Sequence, residues 1–214
     1  MRYKTILFDL DGTLTDPKEG VTKSVQYALS CLGIEVENSD DLLPFIGPPL
    51  QVGFKEQYRL NEQEVVLAVG HFRERFKQVG MFENEVFVGV KELLETLKER
   101  GYQLAVATSK PSVFAVQILT HFQLDTYFDL IVGSNLDGTQ IYKGEIIAKV
   151  MELYGDRLGT AIMIGDRKHD IIGAHENELD SIGVLFGYGS KEELEAVRPT
   201  YIVETVEQLN RFFE

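Results

Sequence analysis

The run Lys4-Thr5-Ile6-Leu7-Phe8-Asp9-Leu10-Asp11-Gly12-Thr13 decides how the rest of the chain is read. From Lys4 to Leu10 it is rich in Ile, Leu and Phe, and it stops at Asp11-Gly12-Thr13, so it predicts a buried strand feeding a loop. Asp-Gly between apolar residues also suits a two-residue hairpin turn. A calcium loop of the EF-hand type is excluded. With Asp9 as position 1, glycine falls at position 4 instead of 6, and position 12 is Gly20 instead of glutamate.

Downstream of this strand the pattern turns helical. From Pro17 to about Gly80 no strand is evident, while Val21, Val25, Ala28 and Leu32 recur at helical spacing, as do Val65, Val69, Phe72 and Phe76. Pro44-Phe45-Ile46-Gly47-Pro48-Pro49 interrupts this block, since helices do not run through such a segment. From Val90 onward strands and helices alternate. Leu93 to Arg100 predicts a helix closed by Gly101. Strand-like runs follow at 103–108, 130–133, 161–165, 181–186 and 201–203, and strand-helix alternation argues for a parallel sheet covered on both faces. The first strand belongs with that set. The expected fold is therefore α/β, a Rossmann-like parallel-sheet core with a small helical domain inserted after the first strand. The expected boundaries are 1–15 and 83–214 for the core and 16–82 for the insertion.

Composition narrows the function. The chain has 214 residues, 44% apolar and 26% charged, a globular balance. No apolar run approaches the roughly 20 residues that span a bilayer, and the first apolar stretch is too short for a secretion signal, so a cytoplasmic protein without membrane association is expected. The single cysteine, Cys31, excludes an intramolecular disulfide and any CxxC site, which leaves oxygen donors for a metal. A formal charge of -13 makes nucleic acid an unfavourable partner.

In an open parallel sheet, ligands gather outside the carboxyl ends of the strands. Three strand ends are polar there: Asp9-Leu10-Asp11, Thr108-Ser109-Lys110-Pro111, and Gly165-Asp166 with Asp170 four residues on. Each has a structural explanation. Asp166 and Asp170 suit a helix N-terminus, and Thr108 to Pro111 looks like a hydroxyl cap with a proline opening a helix. Lys143 stands before the helical run Glu145 to Leu153, where the dipole disfavours a cation unless an anion is near. His71, His121, His169 and His175 lack metal-ligand spacing. Together, carboxylates without Cys or His suit Mg²⁺, and a hydroxyl with a lysine suits a phosphoryl group.

These residues resemble the haloacid dehalogenase superfamily over essentially the whole chain. Its first motif corresponds to Asp9-Leu10-Asp11-Gly12-Thr13, its second to Thr108, its third to Lys143 and its fourth to Gly165-Asp166-Arg167-Lys168-His169-Asp170. The inserted helical block corresponds to the family's cap. Phe45-Ile46-Gly47-Pro48-Pro49-Leu50 and Gly187-Tyr188-Gly189-Ser190 further resemble the phosphoglycolate phosphatase and 5'-nucleotidase-like branch. Two departures stand out: Gly144 follows Lys143 where relatives often carry proline, and Glu85 to Val90 lacks the proline often found where the cap returns.

The resemblance implies a Mg²⁺-dependent phosphatase of small phosphate monoesters. Asp9 would be the nucleophile, Asp11 the acid and base, and Thr108, Ser109 and Lys143 would bind the phosphoryl group. Asp9, the Asp11 backbone carbonyl and Asp166 would hold the metal, with Asp170 orienting its water shell or Lys143. The cap, through Phe45, Ile46 and Gly47, would select the substrate among phosphoglycolate, nucleotides and sugar phosphates, and Asp16-Pro17 and the segment 82–87 are its hinge candidates. A monomer or homodimer is expected. A phosphomutase is the nearest alternative, and a receiver-like signalling module that merely stores phosphate on aspartate is a more distant one.

Overall fold

The computed structural model describes residues 2–214. Six strands form one sheet: β1 (Thr5–Phe8), β4 (Gln103–Pro111), β5 (Leu130–Ser134), β6 (Ala161–Gly165), β7 (Asp180–Val184) and β8 (Tyr201–Val203); two short strands, β2 (Thr15–Asp16) and β3 (Glu85–Val86), make a second, two-stranded sheet. The order in the large sheet is β5-β4-β1-β6-β7-β8, and every pairing in it is parallel. The α/β expectation therefore holds. β1 is central, with Thr5 opposite Gln103 on one side and Ala161 on the other. Parallel partners on both sides overturn the hairpin alternative for Asp11-Gly12.

Both faces of this sheet are covered, as its apolar strands require. Leu7, Ala105, Ala107 and Met163 pack with Ile146, Ile147 and Val150 of α6 (Lys143–Tyr154) and Ala174 of α7 (Lys168–Glu176). Ile6, Phe8, Leu104, Val106, Ile162 and Ile164 alternate with them along the strands and are fully buried too. The remaining helices of this part are α4 (Val90–Glu99), α5 (Ser112–His121), α8 (Lys191–Ala196) and α9 (Val206–Phe212).

The chain divides into two compact units: the residues up to Asp16 with Val86–Glu214, and Pro17–Glu85. The second unit is helical, with α1 (Lys18–Cys31), a 3₁₀ segment Ser39–Phe45, α2 (Leu50–Tyr58), α3 (Glu62–Arg75) and a π turn Phe76–Gly80. The proline-rich break is less disruptive than expected at its start, because Pro44 sits within the 3₁₀ segment and the next α-helix begins only at Leu50. Asn61 caps α3, accepting from the N–H groups of Gln63 and Glu64, while the Glu64 carboxylate accepts from the Asn61 N–H. Arg75 grips Glu83 through two nitrogens at 2.7 and 3.0 Å, tying the end of α3 to the returning chain. No helix among the described residues is long and apolar enough to cross a membrane.

Candidate active site

After Phe8 the chain turns sharply instead of continuing the strand. The N–H groups of Thr13, Leu14 and Thr15 all point to the Leu10 carbonyl, at 3.3, 2.9 and 3.0 Å. Asp9 and Asp11 thus leave the carboxyl end of the central strand on a short, hydrogen-bonded loop. Asp9 Oδ1 accepts from the Leu10 N–H at 2.7 Å. Gly12 completes the turn at φ +86°, and a Cβ there would stand 2.2 Å from Asp166 Oδ2, so glycine is required on both counts.

Asp166 follows β6, the neighbour of β1, and is wholly buried. It accepts from the Tyr188 N–H at 2.8 Å and lies 3.4 Å from the Thr13 hydroxyl, and neither partner carries a full charge. The Tyr188 hydroxyl in turn donates to Asp16 Oδ1. Asp170, in the first turn of α7, accepts from the Arg167 N–H at 3.0 Å, so the helix-terminal role expected for it is present as well. One carboxylate oxygen from each of Asp9, Asp166 and Asp170 lies within 4.8 Å of the others.

Lys143 opens α6 with its side chain buried, and its Nζ contacts Asp9 Oδ1 at 2.9 Å, Asp170 Oδ1 at 2.8 Å and the Ala107 carbonyl at 2.8 Å. The two carboxylates pair with it as ions, and the Ala107 carbonyl accepts a hydrogen bond from it. Gly144 leaves this arrangement intact. Burial pulls the Lys143 ammonium toward neutrality, but Asp170 and Asp9 outweigh it and hold its pKa above the ordinary value. Burial raises Asp170 to about 6, with Lys143 opposing and Asp9 reinforcing the rise. Burial, then Asp170 and Asp9, push Asp166 well up. Asp11 is raised by burial against the pull of Lys110.

Thr108 is buried at the end of the regular part of β4, but it does not cap a helix. The strand runs on to Pro111 with an irregularity between Thr108 and Pro111, α5 begins at Ser112, and the Thr108 hydroxyl accepts from the Lys110 N–H at 3.2 Å. The expected helix start is therefore corrected by a bulged strand end. The Ser109 carbonyl is held by the Ser134 hydroxyl at 2.8 Å. Lys110, given no role from sequence, contacts Asp11 Oδ2 at 2.8 Å with only 6% of its side chain exposed. The only signal for it in the sequence was its place two residues after Thr108 at the same strand end. Phe45, Ile46 and Gly47 lie in the helical unit. There Phe45 and Ile46 are buried, and the Phe45 ring packs on those of Phe54 and Tyr58, with centroids 5.0 and 6.0 Å apart.

The charges do not balance. With every group ionised, four carboxylates, Asp9, Asp11, Asp166 and Asp170, would face two ammonium groups, Lys110 and Lys143, an excess of two negative charges where burial makes charge expensive. A divalent cation held by oxygen donors fits that excess and that donor set.

Comparison with known proteins agrees with this geometry. Residues 6–184 match the family model described as haloacid dehalogenase-like hydrolase. A 5'-nucleotidase of Pseudomonas aeruginosa is 49% identical over 214 residues, covering 100% of this chain and 97% of the relative. The tyrosine-protein kinase PtkA of Mycobacterium tuberculosis is 32% identical over 208 residues, covering 95% of this chain and 70% of that protein. A crystal structure of a predicted phosphatase from Clostridium acetobutylicum superposes with a TM-score of 0.96 at 49% identity, covering 99% of this chain and 98% of that one. The chain belongs to the haloacid dehalogenase-like hydrolases.

Proposed function

We propose that this hydrolase cleaves small phosphate monoesters through an aspartyl-phosphate on Asp9, with Mg²⁺ as its cofactor. The observation that carries the reading is the buried cluster of Asp9, Asp166 and Asp170, braced by Lys143 and two negative charges in excess at the carboxyl ends of adjacent parallel strands. As a phosphoric monoester hydrolase it works in two steps. An Asp9 carboxylate oxygen bonds to phosphorus as the bond to the ester oxygen breaks, and the Asp11 carboxyl gives its proton to the departing alkoxide. Asp11 then takes a proton from water as the water oxygen bonds to phosphorus and the Asp9–phosphorus bond breaks, releasing inorganic phosphate.

Asp9, the Asp11 backbone carbonyl and Asp166 would hold Mg²⁺, with Asp170 beside them. When bound, the ion offsets the repulsion between an anionic nucleophile and an anionic substrate. Lys143 Nζ is engaged by two carboxylates and a backbone carbonyl of the protein, so its first task is to orient Asp9 and Asp170, and it serves the phosphoryl group through that placement. Thr108 and the Ser109 amide bind phosphoryl oxygens. The helical unit is the substrate-selecting cap, a role supported by its insertion directly after the loop that carries Asp9 and Asp11.

The similarity to a 5'-nucleotidase favours nucleoside monophosphates among the substrates, beside phosphoglycolate. The likeness to a tyrosine-protein kinase supports a second reading, in which an acceptor other than water takes the phosphoryl group. A screen of nucleoside monophosphates, phosphoglycolate and sugar phosphates, read as free phosphate with Mg²⁺ and with EDTA, tests both. Metal-dependent phosphate release supports the hydrolase. A phosphorylated acceptor or an isomerised sugar phosphate without free phosphate supports transfer.

A further inference from the structure

Lys110 has no part in the reaction as written above, yet its pairing with Asp11 is built with care. A bulge after Thr108 sets the position of Lys110, whose N–H is held by the Thr108 hydroxyl at 3.2 Å. Its ammonium, nearly removed from solvent, meets Asp11 Oδ2 at 2.8 Å. The other oxygen, Asp11 Oδ1, is buried and has no hydrogen-bond partner. A buried carboxylate oxygen left without a partner costs free energy unless something arrives to engage it. A carboxylate also turns readily about its terminal torsion, so an acid that must meet one particular atom gains from being gripped on one side.

We infer that Lys110 is a positioning residue that holds Asp11 by Oδ2 and presents Oδ1 to the leaving-group oxygen and then to water. This rests on the reading of Asp11 as the acid and base. It assigns the work to one oxygen and gives Lys110 a task carried out wholly through Asp11.

Two aryl esters that differ in the basicity of the leaving group test it. Phenolate, with a pKa of about 10, needs protonation as it departs from phenyl phosphate, whereas 4-nitrophenolate leaves with little help. Lys110→Met is expected to lower kcat/KM on phenyl phosphate at least about tenfold more than on 4-nitrophenyl phosphate, a fraction of what general acid catalysis contributes. Lys110→Arg, which keeps the charge, should recover most of the loss and covers the case in which the methionine variant folds poorly. The double variant Lys110→Met/Asp11→Asn should be no slower than Asp11→Asn, since both changes remove one function. Equal losses on the two esters, or a double variant slower than Asp11→Asn by the full Lys110→Met factor, would show Lys110 acting on the substrate directly and overturn the inference. Failure of the phosphatase reading looks different, because the unaltered enzyme would then release phosphate from neither ester.

Discussion

Lys143 Nζ stands 2.9 Å from Asp9 Oδ1, and both side chains are almost completely buried. The proposed nucleophile is thus held at Oδ1 by this ammonium and by the Leu10 N–H at 2.7 Å. Asp9→Asn keeps the shape but removes the nucleophilic charge, while Lys143 retains Asp170 and the Ala107 carbonyl. The variant is expected to fold and to lose turnover. Ordinary kcat in a folded Asp9→Asn protein would refute covalent catalysis.

Asp11→Asn should delete the proposed proton transfer and leave the backbone carbonyl in place. A fall of roughly 10²- to 10⁴-fold in kcat is expected, the range for general acid and base catalysis. An unchanged rate and pH profile would remove Asp11 from the reaction.

EDTA should abolish activity and Mg²⁺ restore it, and Asp166→Ala should weaken metal binding as read by calorimetry. Ca²⁺, with a larger and looser shell, is expected to bind and inhibit. Full activity in Ca²⁺ would contradict the Mg²⁺ assignment.

Asp170 has its folded-state pKa raised to about 6 from 3.8, so the folded protein holds the proton more tightly than the unfolded chain. Its contribution is fully present below the unfolded value and is lost as pH rises through about 6. Comparing metal-free protein with Asp170→Asn by urea denaturation at pH 4 and pH 7 isolates this term. The unaltered protein should lose stability relative to the variant on going to pH 7. Equal differences at the two pH values would show that burial does not perturb this carboxyl.

Phe45 packs on Phe54 and Tyr58 inside the helical unit, so Phe45→Ala should cost about 3–5 kcal/mol, the usual range for emptying a buried aromatic site. Denaturation of that unit is the measurement. Any substrate preference is better sought with Phe45→Leu, which keeps more of the packing.

The α/β pattern was legible because buried parallel strands write themselves as short apolar runs, and the loop after β1 because Asp11-Gly12 breaks such a run. The proximity of Asp9, Asp166 and Asp170 could be anticipated from the first two lying at neighbouring strand ends and the third in the helical turn that follows. Lys110 could not be singled out as easily. Its pairing depends on a bulge between Thr108 and Pro111, and the same four residues also fit a helix start. Nor could the burial of Phe45 and Ile46 be read from a proline-rich break, because such a segment fits an exposed loop and a packed 3₁₀ turn alike.

The place of β1 in the sheet bears on how the molecule comes into being. This strand, with the candidate nucleophile at its end, is made before the other strands of the sheet, but its partners are β4 and β6, whose first paired residues are Gln103 and Ala161. Closing such distant pairings is slow, since chain entropy must be overcome before the contacts can compensate. During synthesis the helical unit, Pro17–Glu85, is complete before either partner strand emerges, and Thr5–Phe8 remains an unpaired apolar segment until Gln103–Pro111 has left the ribosome, and lacks its second partner until Gly165 has followed. Refolding should therefore show formation of the helical unit ahead of the acidic cluster, with divalent-cation affinity among the last properties to appear.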